Sequence, residues 1–92
     1  MLSGQSREEF GFGQRHPVSK QIAEGIRFHL DGMAKTDFAE YTFERRRSNY
    51  PTAKSDIVVY DPSGISVIRG REFSEGGHSL VFWRDEERQR VR

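Results

Sequence analysis

Three kinds of residue in this chain could together act on a phosphodiester. Glu40 is a candidate general base, His78 a candidate general acid, and Arg45, Arg46 and Arg47 lie between them as cations for phosphate. Cleavage of RNA through its own 2′-hydroxyl needs such a set: a group to take a proton, a group to return one, and fixed positive charge. The same arginines support a second chemistry. A guanidinium fork grips a carboxylate or phosphate through two parallel hydrogen bonds, and Tyr41, Phe43 and Tyr50 lie beside the run. Glu40 and Glu44 interleave with these cations and damp their field. That favours contact with a protein surface over contact with nucleic acid.

The order of the first set has a counterpart. Glu40-Tyr41-Thr42, then basic residues, then a hairpin, then Gly76-Gly77-His78-Ser79-Leu80-Val81-Phe82 resembles in outline the small microbial ribonucleases of the barnase type. The resemblance covers about half the chain and implies a metal-independent ribonuclease using Glu40, His78 and Arg46. Two features depart from it. The second strand opens on Lys54-Ser55-Asp56, and the residues after His78 lack the aromatic and threonine of those enzymes. Asp61-Pro62-Ser63-Gly64 downstream of the arginines is similar in part to the cyclic-dinucleotide motif of PilZ domains. Here the glycine follows the serine directly and the arginines are contiguous, so a turn accounts for all four residues.

Composition narrows the classes. Ninety-two residues make one domain with a thin core, since 34% are hydrophobic and aromatics supply much of the bulk. Cysteine is absent, which removes disulfides, thiolate metal sites and cysteine nucleophiles. His16, His29 and His78 fall in no ligand spacing, so neither a metal nor a cofactor is expected. No apolar run has membrane-spanning length and the N-terminus lacks a signal-peptide core, so the expected location is cytoplasmic. Net charge is +1, too little for a general polyanion binder, yet twelve of the fifteen cations are arginine.

The elements that must position these residues centre on 56–70. Two β-branched runs flank Asp61-Pro62-Ser63-Gly64, which reads as a type I turn closed by a glycine bulge. That register pairs Val59 with Val67 and Ile57 with Arg69. Ile57, Val59, Ile65 and Val67 then share one face, and Val58, Tyr60, Ser66 and Ile68 the other. A hairpin apolar on both sides belongs in mid-sheet. Val18, Ile22, Ile26, Leu30 and Met33 recur at helical spacing from Pro17 to about Asp31, crossed by Gly25; the competing reading ends the helix at Gly25 and starts a strand with Ile26, Phe28 and Leu30 alternating inward. Residues 79–84 alternate as a strand; over 36–47 the alternating Ala39, Tyr41 and Phe43 favour a strand, with a helix through Phe38, Tyr41 and Arg45 as the alternative.

These signals predict an α+β domain over 17–84, one N-terminal helix on an antiparallel sheet of about four strands. A flexible arm, 1–16, precedes it and a charged tail, 85–92, follows. With one helix, one sheet face is left for the Phe10/Phe12 arm, a second copy or a partner. The leading expectation is a non-catalytic binding protein: a phage-type inhibitor, an assembly subunit or an adaptor on a larger protein or nucleoprotein complex. Arg45, Arg46, Arg47, Tyr50, Phe10 and Phe12 would be its contacts. The ribonuclease is the alternative.

Overall fold

The β-branched runs on either side of Asp61 do form the central hairpin of the protein. The structure is a computed structural model describing residues 13–73 and 79–85. Strand β1 (His16–Pro17) leads into helix α1 (Lys20–His29), followed by β2 (Thr42–Arg46), β3 (Ala53–Tyr60), β4 (Ser66–Phe73) and β5 (Ser79–Arg84). The five strands form one antiparallel meander in the order β1-β2-β3-β4-β5. This is the α+β class the sequence predicts, with one strand more. The added strand is β1, two residues that pair His16 with Phe43 and Pro17 with Thr42. Proline suits that edge because it has no N–H to contribute to a ladder.

Pro17 therefore lies in β1 and does not open the helix. Ser19 caps α1 instead, its hydroxyl accepting the Ile22 N–H at 3.2 Å. Arg27 and His29 in the last turn suit the negative end of the helix dipole. The expected apolar stripe is real: Ile22, Ile26 and Leu30 are buried on Phe43, Ile57, Val59, Ile68 and Phe82. Fully burying an Ile or Leu contributes about 1.5–3 kcal/mol, so this stripe anchors the helix to the sheet. Between α1 and β2, Phe38 is buried and packs edge-on against Tyr41, 5.0 Å between centroids. The strand expected over 36–47 begins only at Thr42, because residues 39–40 form a turn.

The hairpin turn is built as its residues suggest. Asp61 Oδ1 accepts from Ser63 N–H (2.9 Å), the Ser63 hydroxyl (2.7 Å) and Ile65 N–H (3.0 Å), while Gly64 takes φ +91°. The Ser63 hydroxyl bond, then the Ile65 N–H, leads in holding the Asp61 carboxyl below its ordinary value. The register beyond the turn differs from the sequence expectation. Val59 pairs with Ile68 and Ile57 with Gly70, but Tyr60 pairs with Ser66, so Val67 is an extra residue in β4. A bulge of this kind turns the following side chains over. Ile68 joins the helix-side core, Val67 packs against that core too, and Ile65, expected inside, is 62% exposed.

The open side of the sheet

The corrected register decides what stands on the side away from α1. That side carries Glu44 and Arg46 of β2, Asp56, Val58 and Tyr60 of β3, Arg69 and Arg71 of β4, and Trp83 of β5. It is a lattice of charged and aromatic side chains rather than the apolar face expected. Val58 is nevertheless only 1% exposed. Long arginine stems flanking it can cover apolar surface while their heads stay wet.

Each carboxylate on this side faces a guanidinium. Glu44 accepts the Tyr60 hydroxyl at 2.6 Å on one oxygen and Arg46 Nε at 3.0 Å on the other. Arg46 Nη2 also donates to the Tyr60 oxygen at 3.2 Å, and the Arg15 guanidinium lies 3.7 Å above the centre of the Tyr60 ring. Burial raises the Glu44 pKa, but the Tyr60 and Arg46 hydrogen bonds and the Arg46 and Arg15 charges outweigh it, leaving the carboxyl below its ordinary value. Tyr60 moves up through burial and the Glu44 contact, and Arg46 moves up through its bond to Glu44. With both oxygens occupied and its proton affinity lowered, Glu44 is a poor general base. Its effect is to fix Arg46.

One further clamp and a looser ion pair lie toward β5. Arg71 Nε donates to Asp56 at 2.9 Å, and its guanidinium sits 4.7 Å from the Tyr50 ring centre and 5.6 Å from that of Trp83. Tyr50 is in turn edge-on to Phe73 at 5.8 Å. Arg69 Nε lies 3.5 Å from Asp85, whose Oδ2 also accepts the Ser66 hydroxyl. Asp56, Arg69, Gly70, Arg71, Trp83 and Asp85 line a cleft of about 160 Å³.

The candidate residues from the sequence do not all meet here. Because strand side chains alternate, the contiguous arginines separate. Arg46 points to the open side, while Arg45 pairs with Ile57 on the helix side and meets Glu72 at 3.5 Å. Arg47 follows the end of β2 and is exposed. Tyr50 joins the lattice through Arg71. Glu40 is exposed in the turn before β2, and among the described residues no hydrogen bond or ion pair links it to Arg46. Phe10, Phe12 and His78 lie outside the described residues. Arg69, Arg71, Asp56 and Asp85 escaped the sequence reading, whereas Trp83 stands out in sequence either as core or, beside Arg84, as an interface anchor. The signal for the arginines was present as Arg69-Gly70-Arg71, two arginines at strand spacing, but placing them opposite Asp56 and Trp83 required the register.

Among the described residues no group of three His, Asp or Glu side chains could hold a metal, and no helix is long and apolar enough to cross a membrane. By fold the chain is a small α+β domain, one helix on a five-stranded meander with an arginine–aromatic face opposite. No protein-family model, curated protein or solved structure matches it.

Proposed function

We propose that this protein is a non-catalytic binding module that docks on a larger protein or nucleoprotein complex through the open side of its sheet. Arg46, Arg69, Arg71 and Tyr50 are its central contacts, with Arg47 at the edge, while Arg45 faces the helix side and is no part of this surface. The observation that carries this reading is Arg71, clamped by Asp56 and within cation–π reach of both the Tyr50 and the Trp83 rings. Fixing a long side chain before binding removes much of the entropy lost on association. Arginine and aromatic residues are also those that dominate interface energetics. Inhibitors, assembly subunits and adaptors all work by occupying a surface in this way.

Co-purification from lysate, followed by affinity measurement with the recovered partner, tests the reading. Arg71→Ala or Tyr50→Ala should weaken affinity by about 30-fold, a hot-spot loss of about 2 kcal/mol. Lys20→Ala on the helix should change nothing. The salt dependence should be shallow, because a steep one marks release of counterions from phosphates. Metal-free RNA cleavage by the purified chain, abolished by Glu40→Gln and His78→Ala, would replace this reading with the ribonuclease.

A further inference from the structure

The cleft beside Arg71 holds a donor without an acceptor. Arg69 lines it, and Arg69 Nε is buried with no hydrogen-bond partner. Asp85 stands 3.5 Å away as an ion-pair partner, but the contact falls outside hydrogen-bond geometry and the same oxygen already accepts from Ser66. A buried N–H without an acceptor is costly, so native sites of this kind are completed by water or by a ligand. The neighbouring Arg71 spends Nε on Asp56, and its Nη atoms make no hydrogen bond among the described residues. Two guanidiniums thus present donors to one small space.

We propose that this cleft is a seat for a single carboxylate, the acidic side chain of a partner protein. The inference rests on the docking reading above and names the chemistry of its anchor. Three observations select the occupant. At about 160 Å³ the cleft is well below the ~300–1,000 Å³ of drug-sized sites, so it takes one head group and a short stem. Its charged residues, Arg69 and Arg71 against Asp56 and Asp85, sum to zero. A monoanion fits that balance, whereas a phosphate monoester brings about −1.5 to −2 charges toward two fixed carboxylates. The planar carboxylate also matches the guanidinium fork, while the Trp83 indole offers a wall for the methylenes of a Glu or Asp side chain.

The chain carries its own reporter, because Trp83 is its only tryptophan. The full-length protein is titrated with N-acetyl-glutamate α-amide while Trp83 fluorescence and the arginine Nε–H resonances are followed. Parallel titrations use the matching glutamine compound, inorganic phosphate and a short single-stranded oligonucleotide. The expected result is a saturable shift of Arg69 Nε–H and a Trp83 response with the glutamate compound, with a Kd on the order of 1 mM. The glutamine compound should give neither. Arg71→Gln, with a dispersed spectrum retained, should weaken binding at least about tenfold, and Arg69→Lys should abolish the response.

Tighter binding of phosphate or oligonucleotide than of the glutamate compound would overturn the carboxylate assignment in favour of a phosphate seat. No saturable response to any probe would leave ordered water as the acceptor and end the proposal. If partner affinity still fell in Arg71→Ala, the docking reading would survive that failure. If Arg71→Ala kept full partner affinity, the docking reading itself would fall, and this inference with it.

Discussion

Gly25→Ala sets two effects of opposite sign against each other in one helix. Intrinsic propensity favours alanine over glycine in a helix interior by about 0.8–1 kcal/mol. Packing opposes it here. A Cβ at Gly25 would lie 2.7 Å from Phe82 Cε2 and 3.3 Å from Cδ2. The ring has nowhere to retreat, since its opposite edge faces Gly70, where a Cβ would meet Cδ1 and Cε1 at 2.5 Å. Phe82 is thus held in a slot between one glycine of α1 and one of β4. Overpacking a tight site costs about 1–3 kcal/mol, so Gly25→Ala should destabilise the domain by about 1 kcal/mol net. Urea denaturation followed by circular dichroism measures it, and the melting temperature should fall by about 4–8 °C. The decisive comparison is a Phe82→Leu background, where the ring edge is gone. There Gly25→Ala should become stabilising, by up to about 1 kcal/mol, giving a coupling energy of about 1–3 kcal/mol between the two sites. An increase in stability near the full propensity value in the native background would refute the slot.

Two more substitutions probe the open side and the turn. Tyr60→Phe removes a hydroxyl that donates to Glu44 at 2.6 Å and accepts from Arg46, and should cost about 1–3 kcal/mol at neutral pH. Glu44 is depressed in the folded state, so its clamp stabilises fully above the ordinary glutamate value of 4.5 and is lost as pH falls through the lower folded value. Without Tyr60 the burial effect on Glu44 meets less opposition, so acid unfolding should begin at higher pH; an unchanged acid limb would contradict this. Gly64→Ala places a Cβ at φ +91° and should destabilise by about 1–2 kcal/mol in urea titrations although nothing lies within 4 Å of it. A variant as stable as the parent would show that the turn relaxes out of that conformation.

What the amino-acid sequence determined by itself lay among features governed by neighbouring residues. The Asp61-Pro62-Ser63-Gly64 turn forms because an aspartate oxygen can reach N–H groups two and four residues on and a glycine can take positive φ. The helix stripe of Ile22, Ile26 and Leu30 follows from a period of 3.6, and the α+β class from counting such elements. Register is a different matter. One extra residue, Val67, moved Ile68 into the core and left Arg69, Arg71 and Trp83 together on the other side. Strand alternation also parted Arg45 from Arg46, which a linear reading takes as one cluster. The crossing of Gly25 and Gly70 over Phe82 joins residues 12 to 57 positions apart, so what looks like a helix defect in sequence is a packing requirement in space. These outcomes depend on which strand meets which, and that is decided by the whole core, because burying a sheet face ties every side chain on it to one choice of pairing.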